Sequence, residues 1–214
     1  MSTTETTRPA LFELNGGHPA LDFVNTLDNR FRADGPAELL QSYADLLRFL
    51  QQANLLSAQR TKLLAGAATK DTAARALQAA RELREAIAAT LYSAVDGRAP
   101  AAALIRTLER YFLSASRHRH LQWTHSSKQS PRAWGADWVW RRGEAGVELP
   151  VWVLAQAASD LMTSPALDRL RACGSETCRW LFLDTSKNHS RRWCSMKVCG
   201  NRMKARRFHA RPAT

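Results

Sequence analysis

The sequence predicts a mainly α-helical fold with a small antiparallel β-sheet, followed by a small C-terminal module that is organised around cysteines. Apolar residues recur at helical spacing along most of residues 20–162, as in helices that bury one face in a common core. Between residues 119 and 150 the pattern changes to short, tryptophan-rich segments that are typical of strands. All four cysteines lie between residues 173 and 199. The length of 214 residues leaves room for one sizeable core and one small module.

The N-terminal part is predicted to consist mainly of helices, after a polar segment, residues 1–10, that we expect to be disordered. Pro19 suits the first turn of the first helix, and Ser57 and Asp71 are candidate N-caps of two later helices. Gly97 and Pro100 end the longest helix. The predicted helices cover residues 20–28, about 36–53, about 58–68, about 72–96, about 101–116 and 150–163.

The predicted sheet is built from residues 121–123, 137–140 and 147–149, with Gly143 and Gly146 as turn signals. This region holds three histidines. Two of them, His118 and His120, form a His-x-His pair that could bind a second metal ion. It also holds a tryptophan cluster with two open interpretations. The cluster either lines a ligand pocket or forms a sheet face that packs on the helices. Its members are Trp123, Trp134, Trp138 and Trp140.

Three polar residues at the start of the helical part fall at helical spacing on or beside one face. They are His18, Asp22 and Asn25. Such a ladder of polar side chains is a possible ligand pocket. Helix capping and hydrogen bonding within the core would use the same residue types at the same spacing. The second interpretation is the one that we favour from sequence.

The cysteines form two C-x4-C pairs, Cys173 with Cys178 and Cys194 with Cys199, separated by fifteen residues. Four thiols in so short a span indicate one tetrahedral, structural Zn²⁺ site with four cysteine ligands. A disulfide framework is the alternative, and it requires an oxidising compartment. A structural zinc contributes roughly 10–16 kcal/mol at neutral pH, which is enough to fold a segment too short to bury its own core.

The residues around the cysteines predict a treble-clef-like zinc finger. Residues 179–183 and 190–193 are strand-like, and the turn-forming segment 184–188 joins them into a hairpin. From Cys194 to about Arg211 the pattern becomes helical. The metal would therefore hold the start of a helix against a hairpin.

The C-terminal helix is strongly basic. Residues 185–214 contain nine Lys or Arg and no Asp or Glu, in a chain whose formal net charge is +12. A metal-anchored helix with this charge is suited to binding nucleic acid, whereas a plain solvated tail is the alternative. Asn201 would either read a base or brace the turn after Cys199. The predicted nucleic-acid-binding residues are Arg191, Arg192, Lys197, Asn201, Arg202, Lys204, Arg206, Arg207 and Arg211.

Residues 199–202, Cys-Gly-Asn-Arg, resemble the motif that names the CGNR-type zinc finger, and residues 180–184, 191–196 and 204–207 resemble its other signature segments. Residues 16–28 resemble the opening of the ABATE domain, which precedes this finger in the family. The resemblance implies a bacterial, stress-induced transcription regulator. It divides the chain into an ABATE-like helical, sensing domain over residues 11–164 and the zinc finger over residues 165–214.

Charge, cysteines and resemblance together predict a zinc-dependent DNA-binding transcription regulator whose helical domain senses a small ligand or a stress signal. An RNA-binding protein is the first alternative, with Trp180, Phe182 or Phe208 stacking on unpaired bases. A small-molecule-binding or enzymatic domain with a purely structural zinc is the second. We predict no enzyme, because the sequence has no phosphate-binding loop, nucleophile elbow or His-Glu-x-x-His motif.

The expected partners are DNA, an unidentified effector and a second copy of the chain, bound through the helical domain. The first ten residues lack the apolar core of a signal peptide, and no apolar run approaches the ~20 residues that a membrane span needs. We therefore expect a cytoplasmic protein with no membrane partner.

Overall fold

A computed structural model of the chain describes residues 12–125, 134–141 and 146–209. Residues 1–10, for which disorder is predicted, lie outside the described residues. Within the described ranges the fold is mainly α-helical, with three two-stranded antiparallel sheets. The predicted fold class is confirmed. Among the helices of these ranges, none combines the length and the apolar character needed to cross a membrane.

The first helix, α1, covers Pro19–Val24 and ends four residues before the predicted end at Asp28. Asn25 is its C-cap, and the Thr26 hydroxyl donates a hydrogen bond to the Phe23 carbonyl over 2.6 Å. These side chains compete with the helical hydrogen bonds, so the chain leaves the helix. It then forms strand β1, Leu27–Asp28, which pairs with β2, Ala37–Glu38.

The other helices of this part follow the predicted order, with some different ends. The helix predicted from residue 36 begins at Tyr43, because Ser42 and Asp45 form a reciprocal capping box. Ser57 caps the next helix, as predicted, and Thr69 rather than Asp71 caps the longest one. The bounds are Tyr43–Gln52 for α2, Ala58–Ala67 for α3, Lys70–Val95 for α4 and Ala102–Arg117 for α5.

Helix α6, Leu149–Met162, is the centre of the core and packs on α1, α2, α4 and α5. It carries few polar residues and is buried on most of its circumference, as expected of a helix that is apolar nearly all round. Leu154 and Ala158, at most 1% exposed, illustrate this. The predicted strand at residues 147–149 is wrong, because Leu149 begins this helix.

Strands β3, Arg119–His125, and β4, Trp134–Trp140, form an antiparallel hairpin that packs on α5. The interpretation of the tryptophan cluster as a face packed on the helices is wrong for three members. Trp123, Trp134 and Trp138 are 67%, 60% and 58% exposed. Trp140 alone of the four contacts the core, at the end of the hairpin nearest the helices.

The C-terminal segment begins with a turn of 3₁₀-helix, Pro165–Arg169, and strand β5, Leu170–Ala172. Strand β6, Leu181–Leu183, pairs with β5, so the predicted pairing with residues 190–193 is wrong. The Asp184 carboxylate accepts hydrogen bonds from the backbone N–H groups of Ser186 and Arg191, and these bonds fold the chain after β6 into a turn instead of a second strand.

Candidate metal centre and nucleic-acid interface

The four cysteine side chains converge on one point. Cys173 and Cys178 lie in the loop between β5 and β6. Cys194 precedes a turn of π-helix, Met196–Gly200, and Cys199 lies within it. All four residues are buried, with 2–4% of their surface exposed. The Cys194 Sγ lies 3.7 Å from the Sγ atoms of both Cys178 and Cys199, and all four sulfurs lie within 4.8 Å of one another.

These distances fit a zinc ion. Sulfurs placed tetrahedrally at about 2.3 Å from Zn²⁺ are separated by about 3.8 Å, close to the observed 3.7 Å. The donor set, four thiols and no oxygen, is that of a closed structural site with no position left for water. The predicted cofactor, one structural zinc, is confirmed at the level of the residues that can bind it.

The thiols also influence one another electrostatically. Hydrogen bonds from Cys178 and Cys194 lower the pKa of the Cys173 thiol, and the same bonds raise the pKa of Cys178 and of Cys194. Four thiolates at these distances repel each other strongly, so a divalent cation at their centre is what allows them to be charged together.

Backbone contacts hold the metal-binding loops. The Cys173 N–H donates to the Trp180 carbonyl over 2.8 Å, and the Gly174 N–H donates to the Arg192 carbonyl over 2.9 Å. A Cβ atom at Gly200 would lie 2.8 Å from the sulfur of Met196, so the exposed Met196 side chain would have to move to accommodate it. Two segments distant in sequence are thereby fixed around one site.

The C-terminal segment is fused to the helical domain through β6 and the residues before it. The Asn25 amide pairs with the Leu181 backbone in both directions, over 3.0 Å and 2.9 Å. The Leu183 N–H donates to the Gly16 carbonyl, and the Trp180 indole N–H donates to Asp28, both over 2.8 Å. In addition, Leu170, Leu181 and Leu183 belong to the main core. The finger is therefore rigidly attached to the helical domain.

The polar residues that sequence suggested as a ligand pocket are engaged with the backbone. The His18 Nδ1 accepts a hydrogen bond from the Ala20 N–H and caps α1, and burial lowers the pKa of this imidazole. Asp22 accepts from the Gly16 N–H over 2.7 Å, and burial raises the pKa of its carboxyl group to about 6. With Asn25 bound to Leu181, the structure gives all three residues capping and core-bonding roles.

The basic residues that follow the metal site lie mainly on the surface. Helix α7, Asn201–His209, starts two residues after Cys199 and exposes Arg202, Lys204 and Arg206. Lys197 and Arg192 are exposed beside it. The exposed Asn201 donates its amide to the Lys197 carbonyl over 3.3 Å, which braces the π-helical turn. Arg211 and the side chain of Arg207 lie outside the described part of the chain.

Arg191 is half-buried, unlike the exposed cations of this surface. Its guanidinium lies 4.2 Å from the centroid of the Phe182 ring and donates to the backbone carbonyls of Trp193 and Asn15 over 3.0 Å. It also donates to the carbonyl of Cys194. Arg191 thus connects the metal loop with the helical domain through its Nε and Nη2 groups.

Sequence reasoning missed a groove beside the metal site. The groove has a volume of about 410 Å³ and runs between the turn after β6 and the π-helical turn. Hydroxyl and guanidinium groups of this kind contact phosphate oxygens in protein–DNA interfaces. The serines next to Arg191 and Cys194 were the sequence feature that could have indicated this groove. The groove is lined by Ser186, Ser190, Arg191, Arg192, Trp193, Cys194, Ser195 and Met196.

A second groove, about 280 Å³, lies where the finger meets α4, and its base is formed by Ala88 and Ala89. The Arg179 guanidinium lies 5.3 Å from the Phe31 ring centroid and 5.7 Å from that of Tyr92, and it forms a 2.9 Å ion pair with Asp96. The hydrogen bond from Arg179 holds the pKa of the Asp96 carboxyl below its usual value. Because Arg179 directly follows Cys178, this groove touches the metal-binding loop.

Comparison with known families gives two matches. The model of the ABATE family, described as "Putative stress-induced transcription regulator", matches residues 17–165, which is more than half of the chain. The model of the CGNR zinc finger matches residues 169–212. No curated protein matches the chain. The two matches confirm the resemblance that the sequence motifs indicate.

Proposed function

The chain belongs to the ABATE family and ends in a CGNR zinc finger, and from this premise we propose that it is a zinc-dependent regulator that binds duplex DNA through α7 and the groove beside it. The observation that carries the proposal is the position of the exposed cations. Arg202, Lys204 and Arg206 stand on a helix whose start is fixed by the metal ligand Cys199. Cations held in one place release counterions from DNA with little loss of conformational entropy.

The surface around α7 adds donors suited to phosphate. Lys197 and Arg192 continue the positive charge from the helix to the serine-lined groove. Residues 185–214 contain no acidic side chain, so nothing in this segment repels a polyanion. Arginines on α7 are suited to guanine edges. Asn201 instead braces the π-helical turn through its hydrogen bond to the Lys197 carbonyl.

Duplex DNA is favoured over single-stranded RNA by the burial of two aromatic residues. Trp180 is 8% exposed and Phe182 is fully buried, so neither can stack on an unpaired base. The side chain of Phe208, the third stacking candidate, lies outside the described part of the chain. Competition between a DNA duplex and a structured RNA at matched salt tests this choice. We expect the duplex to displace the RNA, and the reverse order of affinity would overturn the choice.

The test of the interface is a charge-matched pair of double variants. Arg202→Ala with Arg206→Ala removes two cations from α7, while Lys62→Ala with Arg75→Ala removes two exposed cations from α3 and α4. We expect the first variant to weaken duplex binding about tenfold or more at 100 mM salt, in an anisotropy titration, and the second to change it less than about twofold. Equal duplex affinities of the two double variants would favour a finger that has only a structural role.

We propose further that the helical domain binds a small ligand in the groove that contacts Arg179. Its alanine base and aromatic walls suit an apolar body. Three guanidinium groups, of Arg30, Arg98 and Arg179, also line the groove. Each forms an ion pair with Glu85 or Asp96, so a carboxylate would bind by replacing one of these partners. A small organic anion bound there would compete with Asp96 for Arg179 and so act on the residue next to Cys178. Calorimetric titration with benzoate tests this idea, with Phe31→Ala as the variant that should lose binding. Absence of heat in the parent protein would reject it.

A further inference from the structure

The β3–β4 hairpin has one strongly apolar face. In its register Leu121 lies opposite Trp138, and Trp123 lies opposite Ala136. Because alternate residues of a strand share a face, these residues and Trp134 point to the same side. The large members, Leu121, Trp123, Trp134 and Trp138, are 50–67% exposed. We call these four residues the tryptophan face.

This face is as large as the largest apolar patch that a typical monomeric protein leaves in water. A tryptophan side chain offers about 150–250 Å², so three at roughly 60% exposure plus the leucine present about 400–500 Å². Single apolar patches of that size, about 300–600 Å², are the largest on typical monomers and often functional. In addition, a two-stranded ribbon is only marginally stable by itself, so a covering layer would stabilise it.

We propose that a second copy of this chain covers the tryptophan face, so that the protein is a two-fold symmetric dimer joined hairpin to hairpin. A standard interface buries about 800 Å² per partner, and the four side chains supply more than half of that area before any neighbouring residue is counted. Tryptophans at the centre of an interface are the usual energetic anchors. A two-fold axis through the face places the same apolar residues against each other.

The low charge of the tryptophan face favours a second copy of the chain over nucleic acid as its partner. The described cation on this side of the hairpin is Arg119, whose guanidinium lies 5.7 Å and 5.5 Å from the ring centroids of Trp138 and Trp140, at the end nearest the helices. The other side chains of this face that the structure describes, Leu121, Ala136 and the tryptophans, carry no charge, so phosphates would find few partners among them. Two chains of formal net charge +12 can also meet with less repulsion through these uncharged side chains than through a basic surface.

Sedimentation velocity of the zinc-loaded full-length chain between 1 and 100 μM tests the proposal. We expect a mass near twice 23.9 kDa at the upper concentrations. Trp123→Gln and Trp138→Gln should each weaken the dimer about 100-fold or more, because each removes an anchor from both copies. The controls are Leu63→Gln and Leu113→Gln, which replace leucines that are 60% and 52% exposed elsewhere, and the dimer should survive in both.

A parent protein that stays monomeric at 100 μM would overturn the proposal, as would a dimer that persists in both tryptophan variants. If the parent is monomeric and the variants instead lose DNA affinity, the face binds nucleic acid and the dimer is rejected. Loss of acrylamide quenching of tryptophan fluorescence with rising concentration of the unaltered chain gives a second readout that needs no variant. The DNA-binding proposal is independent, because a monomer can still bind DNA through α7.

Discussion

The hydrogen bonds between Asn25 and Leu181 provide the sharpest test of the attachment between the finger and the helical domain. Asn25 is 3% exposed, and its amide both accepts from the Leu181 N–H and donates to the Leu181 carbonyl. Leu181 is completely buried, so no solvent replaces these partners when the amide is removed. In Asn25→Ala the N–H and the carbonyl of Leu181 both lose their hydrogen-bond partner.

The expected cost follows from these contacts. A buried donor or acceptor left without a partner costs about 1–3 kcal/mol, so two such groups cost about 2–6 kcal/mol. That is a large part of the ~5–15 kcal/mol by which a domain of this kind is stable. Because Leu181 and Leu183 share the main core with the helices, the loss should appear in the whole chain and not only at the finger.

Urea unfolding of the zinc-loaded protein measures this cost, with helical circular dichroism and zinc release to a chromogenic chelator followed together. We expect both transitions of Asn25→Ala to move to lower urea by the same amount. Asn188→Ala, at an exposed position of the finger, is the control and should leave both transitions unchanged. A loss below about 0.5 kcal/mol, or zinc release that shifts while the helical signal does not, would refute a rigidly attached finger.

Three further predictions concern the metal, the core and pH. Cys199→Ser should lower bound zinc from one to well below one per chain, by elemental analysis, and a fully loaded variant would contradict the four-thiol site. Arg84 is 2% exposed and bound to Glu38 over 2.6 Å, and Glu38 is partly exposed and also paired with Arg81. Changing Arg84 to Met should therefore lower the free energy of unfolding in urea by about 1–3 kcal/mol, and a neutral change would contradict its role. Burial raises the pKa of Asp22 from 3.8 to about 6, so the folded state holds this proton more tightly than the unfolded state, and stability is lost as pH rises through that window. Relative to Asp22→Asn, the native protein should therefore lose about 2 kcal/mol between pH 4 and pH 7, and a constant difference would contradict the shift.

The parts of the fold that sequence predicted are those specified by nearby residues. The periodic apolar residues of α4 and the capping of α3 by Ser57 depend on contacts within one or two turns. The cysteine cluster was also predictable, because thiols at this spacing have few structural uses. Each of these signals is local and repeats within a short window.

The parts that sequence did not predict depend on distant partners. Strand β6 could pair with residues before or after it, and the choice of β5 follows from the core that β6 shares with the helices. Arg191 looked like one more surface cation, and its half-buried position follows from Phe182 and from the carbonyl of Asn15, 176 positions earlier. The exposure of Trp123 depends on where the hairpin leaves the helices, which periodicity does not encode.

The salt dependence of duplex binding by the zinc-loaded protein tests the central claim most directly, namely that a metal-fixed basic helix meets a polyanion. With about four to six phosphates contacted by α7 and the adjoining groove, the logarithm of the binding constant should fall against the logarithm of salt concentration with a slope of about −4 to −5. A slope near zero, in protein that holds its zinc, would contradict it.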